Sequence, residues 1–124
     1  MTFRILVIED DYDAQECLEH DCGEFAFECT YIIDLESALD LVETCAGNFD
    51  GVLLDGLIFA DKSCGATASS LSIADELRRR QFPGPIIAMS GLGSLRRQLL
   101  ASGCTHEAEK WDAASLMAEL LGAS

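Results

Sequence analysis

The stretch FDGVLLDGLIFADKSCGATASS, residues 49–70, joins an apolar run to a carboxylate and then to a long loop-like segment rich in small residues. The apolar run ends at Asp55, and the small and polar residues that follow include no proline. A continuous apolar run is typical of a strand that is covered on both faces, as in a parallel sheet. Because ligands of open parallel sheets bind beyond the carboxyl ends of the strands, Asp55 marks a candidate functional position.

The rest of the chain alternates strand-like and helix-like segments in five repeats. The apolar, strand-like segments are residues 3–9, 27–33, 49–55, 84–90 and, more weakly, 104–110. The segments with helical spacing are residues 13–25, 35–47, 73–81, 93–102 and 112–123. This alternation predicts a single α/β domain over residues 1–124, a flavodoxin-like (βα)5 doubly wound sandwich. Right-handed crossovers favour a five-stranded parallel sheet in the order 2-1-3-4-5, with helices on both faces.

Cap and stop residues predict where several helices begin and end. We expect N-caps at Asp34, at Ser70 or Ser72, and at Asp112, because these side chains can accept hydrogen bonds from a first helical turn. We expect the first helix to stop at Gly23.

Composition and charge exclude several classes of function. The net charge is −14, and the stretch through Asp61 holds sixteen acids and one base. A protein that binds nucleic acid through its phosphates needs the opposite balance, so we expect no direct nucleic-acid binding. No apolar run is long enough to span a bilayer, and the N-terminus lacks a signal-peptide cleavage pattern. We therefore expect no membrane association and a cytoplasmic location.

The six cysteines show neither a C-x-x-C pair nor zinc-finger spacing to a histidine. We expect reduced and mostly buried thiols, with Cys64 in the long segment as an exposed exception.

Polar groups follow four of the predicted strands. These groups are Glu9-Asp10-Asp11, Asp55, Ser90-Gly91 and Glu109-Lys110. Carboxylates at close range need a cation or a proton, and oxygen ligands suit Mg²⁺. An ammonium and a hydroxyl would complete a pocket for a phosphoryl group, with Asp55 on the middle strand as the candidate nucleophile. Helix capping is the simpler explanation for an acid at such a position, but three acids together exceed what a cap needs.

Four motifs carry a resemblance to a known family. They are ILVIEDD at residues 5–11, DGVLLD at 50–55, PIIAMSG at 85–91 and GCTHEAEK at 103–110. In this order and spacing, the chain resembles, over essentially its whole length, the receiver domain of two-component response regulators. The resemblance implies that Asp55 accepts a phosphoryl group from a histidine kinase or a histidine phosphotransfer protein. Ser90 and Lys110 would then contact the phosphoryl group.

The resemblance also implies a magnesium site and a signalling role. Asp10 and Asp55 would bind Mg²⁺ directly, Glu9 would act through water, and the Leu57 backbone carbonyl would be a further ligand. The domain would not be an enzyme in the usual sense, although it would assist its own phosphotransfer and dephosphorylation. It would signal by contact with a downstream protein.

The chain departs from the family pattern at the surface that usually responds to phosphorylation. Glu107 stands where many receivers have an aromatic residue, and Trp111 follows Lys110 where a proline is usual. We expect the peptide bond between Lys110 and Trp111 to be trans or strained. Arg96, Glu107 and Trp111 are the predicted switch or partner surface, on the face of the fourth helix, fifth strand and fifth helix that is also a candidate dimer interface. Trp111 fits either a core anchor or an exposed contact.

Two apolar residues and one segment lie beside the predicted site. Leu57 and Leu92 occupy positions that influence attack by water in the family, and we expect them to slow the loss of phosphate. Residues 61–70 lengthen the segment after Asp55, and we expect a mobile loop that serves as a lid or as a partner contact.

Two alternative functions remain open. The first is a non-switching pseudo-receiver, a constitutive interaction module with the same fold, which the missing proline and Glu107 favour. The second is a phosphatase of the haloacid dehalogenase type, whose nucleophile motif VLLDGL resembles. That motif has a second aspartate where Leu57 stands, which disfavours it.

Overall fold

The structure is a computed structural model that describes residues 2–123. The strands are β1 (Arg4–Ile8), β2 (Glu28–Ile32), β3 (Gly51–Leu54), β4 (Leu57–Phe59), β5 (Thr67–Ser69), β6 (Ile86–Ala88) and β7 (His106–Glu107). The helices are α1 (Tyr12–Glu24), α2 (Leu35–Cys45), α3 (Leu71–Arg79), α4 (Gly93–Ser102) and α5 (Lys110–Leu121), with a 3₁₀ turn at Ala46–Asn48.

Five strands form a parallel sheet in the order β2-β1-β3-β6-β7. This is the predicted order 2-1-3-4-5 once the two strands of the small second sheet are set aside, so the expected fold is confirmed. Ile8 of β1 pairs with Leu54 of β3. Because the strands are parallel, the residues that follow this pair, Glu9 and Asp55, leave the sheet side by side.

Alternate residues of the central strands are buried on opposite faces of the sheet. Leu6 and Ile8 of β1 pack in a cluster with α2, α3 and α4, and Ile5 and Val7 pack in a second cluster with α1 and α5. Burial on both faces explains why β1 and β3 are continuously apolar. The sheet thus becomes a rigid base whose carboxyl edge can hold polar groups in fixed positions.

The segment after Asp55 is not the simple long loop that the sequence suggested. β4 and β5 form an antiparallel two-stranded ribbon in which Leu57 pairs with Ser69. A parallel bridge joins Phe59 to Asp34, and the Glu36 N–H donates to the Ala60 carbonyl. The sequence analysis missed the ribbon because its strands, Leu-Ile-Phe and Thr-Ala-Ser, have only three residues each and are too short to show an alternating pattern.

Two predicted helix ends were wrong, and one cap was correct. Asp34 caps α2, because its side chain accepts a hydrogen bond of 2.9 Å from the Ser37 N–H. α1 continues through Gly23 and ends at Glu24, so this glycine lies in the last turn rather than after it. α5 begins at Lys110 with Glu109 at its N-cap, earlier than the predicted cap Asp112, which lies in the first turn.

Exposure of the cysteines differs from the prediction that most are buried. All six are free thiols: Cys22 and Cys104 are buried, Cys29 and Cys45 are half-buried, and Cys17 and Cys64 are exposed. Cys17 lies on the solvent side of α1, where residue type alone does not predict burial. No helix within residues 2–123 has both the length and the apolar character needed to cross a membrane.

Candidate functional site

Three carboxylates meet at the carboxyl edge of the sheet. Glu9 and Asp10 follow β1, and Asp55 follows β3. One oxygen atom from each of these residues lies within 4.8 Å of the others. The pairing of Ile8 with Leu54 accounts for this convergence, because it places the two strand ends at the same level.

Lys110 supplies the positive charge next to these acids. Its ammonium forms an ion pair with Glu9 Oε1 and lies 3.6 Å from Asp55 Oδ2. As the first residue of α5, Lys110 is brought to the site by the end of the short strand β7. One ammonium therefore faces three carboxylates, and the site keeps an excess of negative charge.

Burial makes this excess of charge costly for Glu9, which is 0% exposed. Burial is the main factor that raises the pKa of Glu9 to about 7, with a further contribution from a hydrogen bond to Asp55, while Lys110 acts in the opposite direction. Burial and the charge of Glu9 also raise the pKa of Asp10. Burial favours the neutral form of Lys110, but the hydrogen bond to Glu9 and the charge of Asp55 outweigh it and raise its pKa.

Asp55 is held on several sides by backbone and side-chain contacts. Its Oδ1 accepts a hydrogen bond of 2.9 Å from the Gly56 N–H, and its own N–H donates to the Ile8 carbonyl over 2.9 Å. Its backbone carbonyl accepts a hydrogen bond from the hydroxyl of Ser70. These contacts leave Oδ2 as the oxygen that faces Lys110.

Ser70 and Gln15 are positioning residues that the sequence analysis did not assign to the site. Ser70 occupies the N-cap position of α3, but its hydroxyl binds Asp55 instead of capping the helix. The Gln15 side-chain amide donates to the Glu9 carbonyl over 2.5 Å. The Gln15 contact spans the short connection from β1 to α1, and the Ser70 contact spans the ribbon, so the periodicity of the sequence predicts neither of them.

Ser90 lies two residues beyond the end of β6, next to Gly56, and is 4% exposed. Its hydroxyl oxygen accepts a hydrogen bond of 3.2 Å from the Leu92 N–H. A Cβ atom at position 56 would lie 3.0 Å from the Ser90 Cβ and 2.4 Å from a Leu95 methyl carbon. Gly56 therefore allows Ser90 and α4 to approach the strand end that carries Asp55.

The backbone carbonyl of Leu57 is free of the ribbon's hydrogen-bond ladder. The Ser70 N–H donates to the Gly56 carbonyl, and the Ala60 N–H donates to the Ala66 carbonyl. In an antiparallel ladder, every second residue bonds across to the partner strand, so positions 56, 58 and 60 face β5 and position 57 faces away. The side chains of Leu57 and Leu92 are both exposed.

Two of the predicted switch residues, Arg96 and Glu107, form an ion-paired group with Glu109. Arg96 on α4 donates to Glu109 Oε1 over 3.3 Å, and its Nε lies 3.9 Å from Glu107 Oε1. Trp111 does not join this group and is 71% exposed, so the alternative of a core anchor is wrong. Its peptide bond to Lys110 is trans, since residues 2–123 contain no cis bond.

The donor set at the carboxyl edge fits a hard divalent cation. Carboxylate and carbonyl oxygens are the ligands that Mg²⁺ prefers, and the three acids outnumber the one ammonium beside them. A cation there would relieve the cost of burying Glu9 next to Asp55.

Comparison with known proteins identifies the fold. No protein-family model matches the sequence, and a search of curated proteins finds no match either. Among solved structures, the receiver domain of the sensor histidine kinase PA1611 of Pseudomonas aeruginosa, with magnesium in its active-site cleft, superposes with a TM-score of 0.77 at 20% identity. That match covers 98% of this chain and 99% of the other.

Two further structures show how widely this architecture is used. NtrX of Brucella abortus matches with a TM-score of 0.75 at 24% identity, over 96% of this chain and 26% of its own. An atypical orphan response regulator, described as having a phosphorylation-independent regulatory mechanism, matches with a TM-score of 0.70 at 15% identity, over 96% and 95% of the two chains. The chain therefore has the receiver fold of two-component response regulators.

Proposed function

We propose that the chain is a phosphoacceptor receiver domain in which Asp55 accepts a phosphoryl group from a histidine kinase or a histidine phosphotransfer protein. The observation that carries the proposal is the setting of Asp55. Its carboxylate ends the central strand, clusters with Glu9 and Asp10, and has the Lys110 ammonium 3.6 Å away. A carboxylate fixed next to a cation and further oxygen ligands is suited to phosphoryl transfer, in which positioning and charge neutralisation do most of the work.

The residues of the site have distinct roles in the proposed step. An Asp55 oxygen forms a bond to the phosphorus of the phosphohistidine, and the phosphorus–nitrogen bond of the donor breaks. The imidazole leaves with the electron pair of that bond and takes up a proton. Lys110 neutralises charge on the phosphoryl oxygens, and Ser90, whose oxygen accepts from Leu92, keeps its own hydrogen to donate to one of them.

Glu9, Asp10, Asp55 and the Leu57 carbonyl are the residues that would hold Mg²⁺. Asp10 and Asp55 would be direct ligands, Glu9 would act through water, and the Leu57 carbonyl is free of the ribbon ladder. When bound, the ion would neutralise charge on the oxygens of the transferred group.

Acetyl phosphate tests the proposal without knowledge of the natural donor. Incubation with acetyl phosphate and Mg²⁺ should add one phosphoryl group, detected by intact mass as an acid-stable and base-labile adduct. Asp55→Asn should abolish this labelling, and the exposed control Asp40→Asn should retain it. An unlabelled but folded wild-type protein, or a labelled Asp55→Asn variant, would reject the proposal.

Binding of Mg²⁺ is tested separately through the single tryptophan, Trp111, which adjoins Lys110. Addition of Mg²⁺ to the unphosphorylated protein should change its fluorescence. Asp10→Asn removes one charged ligand, which should weaken Mg²⁺ binding by about 1.4 kcal/mol. The midpoint should therefore move to a roughly tenfold higher concentration. The control Asp13→Asn should leave the midpoint in place. An equal shift in both variants would mean that the response reports general surface charge.

Two surfaces are proposed for partners. The acidic side chains of α1, among them Asp13 and Glu16, are exposed, and Asp13 lines a cavity with Lys110, so these side chains would face a phosphodonor. The face formed by α4, β7 and α5 would contact an unidentified downstream protein or a second copy of the chain. The exposed side chains of Leu57 and Leu92 would shield the acyl phosphate from water, so that a purified phosphorylated sample should lose its label slowly.

A second candidate, a non-switching interaction module, is supported by the contacts of Glu107. In place of an aromatic ring that moves, Glu107 and Glu109 form ion pairs with Arg96. Beryllium fluoride, which forms an acyl-phosphate analogue on aspartate, separates the two candidates. Amide NMR shifts that spread from Asp55 to α4 and β7 support a switching receiver, whereas shifts confined to the loops around Asp55 support the non-switching module.

A further inference from the structure

A second cluster, which contains two cysteines and a tyrosine, lies between α1 and the sheet and includes none of the three carboxylates. The alternation of β2 turns Phe27, Cys29 and Tyr31 toward the face of the sheet that α1 covers. On α1, Leu18 and Cys22 are one turn apart and face inward to the same cluster. Two cysteines from neighbouring elements therefore meet between α1 and β2.

The two thiols differ in their access to solvent. Cys22 is buried, and Cys29 is half-buried. A cavity of about 330 Å³ opens beside them and is lined by Glu19, Cys22, Gly23, Phe27, Cys29 and Tyr31. A small reagent that enters this cavity meets Cys29 before Cys22.

The surroundings favour the thiolate on Cys29 rather than on Cys22. Cys22 and Cys29 line the same cavity, and the interaction with the Cys22 thiol, with a smaller contribution from Tyr31, lowers the pKa of Cys29 against the effect of its burial. The same interaction and burial raise the pKa of Cys22. The Tyr31 hydroxyl is buried without a well-aligned hydrogen-bond partner, so it can turn toward a charge that develops on Cys29.

The other cysteines lack these features. Cys104 is buried, and burial alone raises the pKa of its thiol to about 12. The Cys45 sulfur lies 3.4 Å from the Thr44 hydroxyl; Cys45 lines a different cavity with Cys29, at the end of α2, which packs on the face of the sheet opposite Cys22. Cys17 and Cys64 are exposed. A pair of thiols, one accessible and one buried, is thus a feature of the α1–β2 contact.

We propose that Cys22 and Cys29 form a peroxide-sensitive dithiol, in which Cys29 reacts first and Cys22 closes a disulfide between α1 and β2. In the first step, the Cys29 thiolate attacks one oxygen of hydrogen peroxide, the oxygen–oxygen bond breaks, and the hydroxide that leaves takes up a proton to give water and a sulfenic acid. In the second step, the Cys22 sulfur attacks the Cys29 sulfur, and the sulfenic oxygen leaves as a second water. The two thiols lose two electrons, which reduce one peroxide.

Charge and size at the cavity indicate a small neutral oxidant. Glu19 lines the cavity, and the protein carries a net charge of −14. Glutathione disulfide is anionic and larger, so charge repulsion and its size both slow its approach. Hydrogen peroxide is neutral and about the size of two water molecules. This inference does not depend on the chemistry of Asp55, because the two clusters share no residue.

Peptide mapping of the wild-type protein tests the dithiol directly. The reduced protein is treated with a small excess of hydrogen peroxide, the remaining thiols are alkylated under denaturing conditions, and the digest is analysed without reduction. We expect a linked peptide pair containing Cys22 and Cys29 and a loss of two hydrogen atoms from the intact mass. If Cys22 and Cys29 are both fully alkylated in a sample in which peroxide has already oxidised the exposed Cys17 or Cys64, the proposal is overturned.

Variants then test the order of the two steps. Cys29→Ser should abolish the linkage, and Cys22→Ser should leave a Cys29 sulfenic acid that dimedone traps. Cys45→Ser is the matched control and should form the Cys22–Cys29 bond at the wild-type rate. If the buried variant Cys22→Ser does not fold, dimedone trapping at early times in the wild type decides which cysteine reacts first. Capture of dimedone on Cys22 instead of Cys29 would contradict the proposed order. If glutathione disulfide oxidises the two thiols as fast as hydrogen peroxide does, the proposed preference for a small neutral oxidant is rejected.

Discussion

The hydroxyl of Ser70 donates a hydrogen bond of 2.5 Å to the backbone carbonyl of Asp55. Ser70 is fully buried, and its own N–H donates to the Gly56 carbonyl over 2.9 Å. These bonds join the start of α3 to the residues that follow β3. They therefore connect the two ends of the β4–β5 ribbon next to Asp55. The ribbon therefore helps to fix the position of the proposed phosphoacceptor.

Ser70→Ala should destabilise the protein by about 1–2 kcal/mol, because it leaves a buried carbonyl without its donor. It should also slow labelling by acetyl phosphate, since the Asp55 backbone loses one restraint. Urea unfolding and intact mass measure the two effects. Ser72→Ala on the exposed side of α3 is the control and should stay within about 0.5 kcal/mol of wild type. Equal effects of the two substitutions would contradict a role for Ser70 at Asp55.

Lys110→Met should change metal binding and phosphorylation in opposite directions. Removal of the ammonium leaves the carboxylates free for a cation, so Mg²⁺ should bind more tightly. The labelling rate should fall by about 10²-fold, because one charged contact to the phosphoryl group is lost. Calorimetric titration with Mg²⁺ and the rate of adduct formation measure the two effects. Lys62→Met in the exposed ribbon should change neither, and weaker Mg²⁺ binding in Lys110→Met would argue against competition between Lys110 and the cation.

Arg96→Gln should release α4 from Glu107 and Glu109 at little cost in stability. The pairs lie near the surface, where such contacts contribute up to about 1 kcal/mol. If these pairs hold α4 in place, beryllium fluoride should shift the amides of α4 more in the variant than in the wild type. Arg97→Gln on the exposed side of α4 is the control. Identical shift patterns in all three proteins would show that the ion pairs do not restrain α4.

Stability should fall at alkaline pH in part through Cys104. Burial raises its pKa from 9.0 to about 12 in the folded protein, so the unfolded chain loses this proton first as the pH rises. The unfolded state then binds fewer protons than the folded state, and the free energy of unfolding falls by up to about 1.4 kcal/mol per pH unit above the unfolded pKa. Cys104→Val should show a shallower decline between about pH 9 and 10.5 in urea unfolding. A parallel decline in both proteins would mean that Cys104 is not shielded.

Most of the fold could be predicted from periodicity. The continuous apolar runs of β1 and β3 and the helical spacing between them indicate a parallel sheet with helices on both faces, and the protein has that sheet in the predicted order. Asp34 was predicted as a cap from its side chain and position alone. These features depend on neighbours in the sequence, so the sequence contains the information.

The details of the candidate site depend on contacts between distant segments, which periodicity does not describe. The alternation of strands and helices, and the acids, serine and lysine that follow the strands, can be read from the order of residues alone. The tertiary structure decided that Lys110 begins a helix beside Glu9, that Ser70 binds Asp55 and that Trp111 is exposed. It also decided that Cys22 and Cys29 share a cavity. The physical reason is that pairing register and helix packing set these distances, and both result from burying the whole core at once.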